Sequence, residues 1–103
     1  MIKILIADDE PLVRAGIKAV IPWNDHGFDV IGEVSDGNEA YEKILALKPD
    51  ILITDIKMPG MDGITLLKKL KQEKVSIQSV VLSCFDEFEL VREAMKYGAR
   101  DYI

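Results

Sequence analysis

Three acidic side chains stand where apolar runs give way to loops. "ILIADDEP" carries Asp8 and Asp9 directly after one such run, and "ILITD" carries Asp55 at the end of another. A single Asp after a strand is commonly a turn former or a helix cap, and that reading accounts for Asp62. The trio differs, because two separate strand ends deliver unpaired acids and only Lys57 supplies a base beside them in sequence. If the two strands are neighbours, like charges about 4 Å apart repel by about 4 kcal/mol at an effective dielectric of about 20. That is a sizeable share of the ~5 to 15 kcal/mol by which domains are stable. Either a shared proton or a hard divalent cation offsets such repulsion, and a few carboxylates with remaining waters suit octahedral Mg²⁺.

Whether the acids meet depends on the elements that carry them. Four short apolar runs, "IKILIA" (2–7), "DVIGEV" (29–34), "DILIT" (50–54) and "SVVLS" (79–83), are rich in Ile and Val. The first, third and fourth are nearly continuous in apolar residues, as parallel strands buried on both faces are, and the second reads as closer to an edge. Helical patterns lie between them. Pro11 suits a first turn, after which Leu12, Val13, Gly16, Ile17, Val20 and Ile21 share a face until Pro22. Asn38 is expected to cap a second helix carrying Ala40, Ile44 and Leu47, ended by "KPD", and Asp62 a third with Ile64, Leu67 and Leu70 inward. Phe88, Val91 and Met95 mark a fourth before Gly98. "ARDYI" then opens a fifth strand. This alternation predicts an α/β, doubly wound parallel sheet of flavodoxin-like order 2-1-3-4-5 with right-handed crossovers. Function in such sheets gathers at the carboxyl ends of the strands.

Composition narrows the class. A chain of 103 residues, 49% hydrophobic and 30% charged, suits one globular domain with one core. Its net charge of -5 argues against a nucleic-acid surface on these residues. The basic "KKLKQEK" reads as a solvated helix face. No run approaches the ~20 apolar residues of a membrane span, and "MIKILIADD" reaches acids too soon for a signal peptide. Cys84 is the lone cysteine, so a cytoplasmic protein with no membrane partner is expected. Trp23 and Phe28 should pack the loop after the first helix, with His26 exposed there.

The acidic pair Asp8 and Asp9, the "TDIKMPGMDG" loop around Asp55, Ser83 at the end of strand four and "GARDYI" before strand five occur in an order that resembles the receiver domain of a two-component response regulator, over all of 1–103. The resemblance implies that Asp55 is a phosphoryl acceptor, its carboxylate attacking phosphorus donated by a sensor histidine kinase. Asp9, Asp55 and the backbone carbonyl of Lys57 would hold Mg²⁺, with Asp8 contributing through a metal-bound water. Ser83 would donate its hydroxyl to a phosphoryl oxygen, and Tyr102 would turn from exposed to buried as that hydroxyl moves. Met58 and Pro59 would lead the loop away from the strand, while Gly60 and Gly63 permit its turns. Such a domain is a phosphorylation-switched regulator that assists its own phosphoryl transfer and dephosphorylation, not an enzyme with a separate substrate. The "LSCFDEFE" and "IPW…GF" segments resemble receivers joined to AraC-type helix-turn-helix output domains, so DNA would be reached only through an output domain absent from these residues.

Some features depart from the pattern. Cys84 stands where a small Ala or Gly is usual. A Lys expected just past Ile103, and a fifth helix after it, lie outside the sequence. The domain is therefore expected to be C-terminally incomplete, with the last helix missing, to switch poorly and to self-associate through an uncovered sheet face. Two other readings stay open. One is a phosphorylation-independent interaction module. The other is an aspartyl-phosphate phosphatase, which needs a second acid where this chain has Lys57.

Overall fold

The computed structural model describes residues 1–82 and 88–102, except the side chains of 88, 101 and 102. Chain order is β1 (Ile2–Ala7), α1 (Pro11–Val20), a 3₁₀ turn (Trp23–His26), β2 (Phe28–Val34), α2 (Gly37–Leu47), β3 (Ile51–Asp55), α3 (Gly63–Gln72), β4 (Gln78–Leu82), α4 (Phe88–Lys96) and β5 (Ala99–Tyr102). The strands form one sheet in the order β2-β1-β3-β4-β5, and every neighbouring pair is parallel. This is the expected doubly wound flavodoxin-like arrangement, with β2 at an edge.

The apolar continuity of β1 and β3 has a direct physical cause. Leu5, Ala7 and Leu52 pack under Ala40 and Ile44 of α2 and Leu66 and Leu70 of α3. Ile4, Ile6 and Ile53 project from the opposite face, toward Ile17, Trp23 and Phe28. A second cluster on the α3 side joins Ile64 and Leu67 to Val81, Val91, Ala94 and Ala99. Each fully buried Leu or Ile contributes on the order of 1.5–3 kcal/mol, so the central strands are fixed by burial on both sides. That fixes where their carboxyl ends lie.

Helix ends follow local chemistry, with one change from expectation. Asp36, rather than Asn38, caps α2: its Oδ1 accepts from the Glu39 N–H at 2.7 Å, while the Glu39 carboxylate accepts from the Ser35 N–H at 3.0 Å. The reciprocal pairing satisfies two otherwise orphaned donors, and Asn38 lies inside the helix. Asp62 caps α3 as expected, accepting from the Thr65 N–H at 2.8 Å. Lys48 ends α2 with φ 49°, and Gly98 follows α4 with φ 103°, both in the left-handed region that closes helices.

The face expected for α1 is present but is not buried. Leu12 is 86% and Val20 79% exposed, and no residue of α1 is fully buried. Ile17 meets the sheet, and the Trp23 Nε1–H donates to its carbonyl at 3.2 Å. Periodicity decides which residues share a helix face but not what that face meets. The same holds in α4, where Ala94 is buried and Met95 stays 40% exposed. Trp23 and Phe28 do pack together, edge to face at 6.0 Å. The lysines of α3 do more than face water: Lys69 lies over the Tyr41 ring at 4.2 Å and Lys68 over the Tyr97 ring at 4.9 Å. Their cationic heads join α3 to its neighbours on either side.

Candidate functional site

β1 and β3 run side by side with Ala7 opposite Thr54. The next residue on each strand is therefore an acid, Asp8 on one and Asp55 on the other. Carboxylate oxygens of Asp8, Asp9 and Asp55 all lie within 4.8 Å of one another. The three environments differ: Asp8 is buried at 3% exposure, Asp55 is half-buried and Asp9 is exposed.

Asp8 is held at three points. Its N–H donates to the Val34 carbonyl at 3.0 Å, its Oδ1 accepts from the Glu10 N–H at 2.9 Å, and its carbonyl accepts from Arg14 Nη1 at 2.5 Å. Burial pushes its carboxyl above the ordinary value, and the Asp9 charge adds to that; the Glu10 N–H and the Arg14 guanidinium work in the opposite sense. Asp55 Oδ1 accepts from the Ile56 N–H at 2.8 Å, and the Asp55 carbonyl accepts from the buried Thr54 hydroxyl at 2.9 Å. Both strand-end acids are thus oriented by adjacent backbone.

The loop after Asp55 is pinned at both ends. Met58 does not simply lead away from the strand but is buried with the α2 and α3 side chains. The Gly63 N–H donates to the Ile56 carbonyl at 2.7 Å. A Cβ on Gly63 would lie 2.2 Å from the Asp55 carbonyl oxygen, and one on Gly37 would lie 2.0 Å from that of Met61. Close backbone approach, not an unusual φ, is what requires glycine at 63. Gly60 does adopt a positive φ, 72°, and faces the Asn38 amide. Lys57 lies exposed in this loop between the buried Ile56 and Met58.

Of the residues expected to act here, Asp8, Asp9 and Asp55 come together. Ser83 lies outside the described residues, as do Cys84 and the Tyr102 side chain; the Tyr102 backbone pairs with Val81. His26 sits exposed in the 3₁₀ turn. Sequence reasoning missed Arg14, which reaches the acidic pair from the first turns of α1, and the Gly37–Met61 contact. A base six residues after Asp8 becomes its neighbour only through the strand-to-helix turn.

Comparison with known proteins bears on the family and the fold. The response regulator receiver domain model matches residues 4–103. The uncharacterized transcriptional regulatory protein YesN of Bacillus subtilis is 50% identical over the whole chain, which spans 28% of that relative's length. The REC domain of AraT, a response regulator from Geobacillus stearothermophilus, superposes with a TM-score of 0.91 at 39% identity, covering 100% of this chain and 81% of that one. The CheX-CheY-BeF3-Mg complex from Borrelia burgdorferi gives a TM-score of 0.86 at 29% identity, covering 98% and 75%. A parallel sheet that brings the strand-end acids together, and a family match over nearly its full length, lead to one conclusion: the chain belongs to the response regulator receiver domain family.

Proposed function

We propose that this domain accepts a phosphoryl group on Asp55 and uses the modification to switch an output function. The observation that carries the reading is the convergence of the Asp8, Asp9 and Asp55 carboxylates within 4.8 Å at the carboxyl end of the sheet. In the transfer, a lone pair of an Asp55 carboxylate oxygen forms the new bond to phosphorus. The bond from phosphorus to the donor breaks, and its electron pair leaves with the imidazole of a histidine kinase or with acetate. Dephosphorylation reverses the charge change: water takes the phosphoryl group as inorganic phosphate and the carboxylate is restored.

The donor set suits a hard divalent cation, being all oxygen, with one member buried and oriented and another open to water. Asp9, Asp55 and the Lys57 carbonyl would hold Mg²⁺, and Asp8 would act through a bound water. When bound, the ion would supply the positive charge that offsets repulsion between an anionic acceptor and an anionic donor. Asp8, fixed by three hydrogen bonds, would orient that side of the site, and the Ile56 N–H would hold one Asp55 oxygen so that the other faces the donor. Ser83 and Tyr102 complete the proposed switch, as phosphoryl hydrogen-bond donor and repositioned aromatic.

The parent protein would be a transcription regulator working in the cytoplasm, with DNA contacted through an output domain. No helix of the described residues is long and apolar enough to cross a membrane. Intact mass after incubation with acetyl phosphate tests the central claim. One phosphoryl adduct should form with Mg²⁺, disappear on chelation and be absent from Asp55→Asn. An adduct that persists undiminished in Asp55→Asn would overturn the assignment.

A further inference from the structure

We propose that Arg14 is a positioning residue for the acidic site, holding the Asp8–Asp9 turn in place through a fork that ties it to edge strand β2. This rests on the reading of Asp8, Asp9 and Asp55 as a divalent-cation site. The guanidinium spans two partners. Nη1 donates to the Asp8 carbonyl at 2.5 Å and Nε donates to Glu33 Oε1 at 3.2 Å. Its side chain is only 17% exposed. Glu33 is itself held from a second direction, by Lys18 at 2.7 Å, and these two cations keep its carboxyl below the ordinary range, Lys18 chiefly.

The consequence is a chain of fixed contacts from the sheet edge to the acids. Val34, next to Glu33 on β2, accepts from the Asp8 N–H at 3.0 Å. Both backbone polar groups of Asp8 are therefore bound to β2, one directly and one through Arg14. With the backbone fixed there, the Glu10 N–H on Oδ1 at 2.9 Å sets the side chain, whose carboxylate lies within 4.8 Å of those of Asp9 and Asp55. A planar fork with several donors in fixed directions can serve the two acceptors at once, whereas a Lys ammonium at the end of a flexible stem is a point charge that does not reproduce that geometry. The partners that orient ligands typically change metal affinity by 10–100-fold when removed.

Charge alone and positioning predict opposite outcomes, which makes the proposal testable. Mg²⁺ binding is measured by calorimetric titration, and by the Mg²⁺-induced rise in unfolding midpoint, for wild type, Arg14→Lys and Arg14→Gln. Cation-free unfolding of each protein establishes that it is folded. Positioning predicts that both variants bind Mg²⁺ more weakly than wild type, by up to about tenfold, the low end of the range for partners that orient ligands directly, because Arg14 acts through the Asp8 backbone. If Arg14 acts only as a nearby charge, Arg14→Lys binds as wild type does and Arg14→Gln binds more tightly, because a repelling cation is gone; either result overturns the proposal. Should Arg14→Gln fail to fold, Arg14→Lys decides by itself. A wild-type protein that shows no Mg²⁺ response refutes instead the cation-site reading on which the proposal stands.

Discussion

At the scale of single residues, the site is a concentration of like charge that the fold tolerates. Asp8 is a costly member, because it is buried and its carboxyl is pushed upward by that burial and by Asp9. An acid whose value is raised on folding is one whose charged form the folded state disfavours, so removing the charge at neutral pH should stabilise the cation-free protein. Asp8→Asn is the suitable change, since the amide oxygen can still accept from the Glu10 N–H. Calorimetry without divalent cations should show its midpoint rise above that of the wild type. Added Mg²⁺ should then stabilise the variant less than the wild type. A lower midpoint for Asp8→Asn in cation-free buffer would refute the like-charge account.

At the scale of elements, the loop from β3 to α3 is held by backbone meeting backbone. Gly63 lies against the Asp55 carbonyl and Gly37 against the Met61 carbonyl, leaving no room for a methyl group at either. Gly63→Ala and Gly37→Ala should each destabilise the fold by about 1 to 3 kcal/mol or more, the usual cost of forcing atoms into filled space. Gly16, in the middle of α1, meets nothing within 4 Å, so Gly16→Ala should instead stabilise by about 0.5 to 1 kcal/mol through better helix propensity. Urea midpoints for the three variants test the contrast. Equal effects at 16 and 63 would show that helix propensity, not the close approach to Asp55, controls the loop.

At the scale of the whole molecule, the two faces of the sheet are unequally covered among the described residues. Helices α2, α3 and α4 pack on one face over Leu5, Leu52 and Val81. The other carries α1 and the 3₁₀ turn, with Ile51, Val80 and Leu82 only partly buried beside the Ile4, Ile6 and Ile53 cluster, while α1 exposes Leu12 and Val20. Apolar surface of this kind favours association. Sedimentation velocity over a concentration series should show a coefficient that rises with concentration, and Val20→Glu should flatten that rise. A coefficient independent of concentration for the unaltered chain would count against self-association.

The element order, the edge position of β2, the Asp62 cap and the placing of Asp8, Asp9 and Asp55 at strand ends were all legible in the sequence, because apolar continuity, strand period and capping are local properties. Even the meeting of the acids followed once β1 and β3 were taken as neighbours, since parallel pairing puts equivalent strand ends side by side. What only the tertiary structure decided is which surfaces meet: that Leu12 and Val20 of α1 face outward, that Ala94 rather than Met95 is buried, that the α3 lysines cross to Tyr41 and Tyr97, and that Arg14 reaches the Asp8 carbonyl from the next element. The physical reason is that periodicity and propensity act within a segment, whereas burial and ion pairing depend on the distance between segments, which is set only when the sheet and its helices have packed.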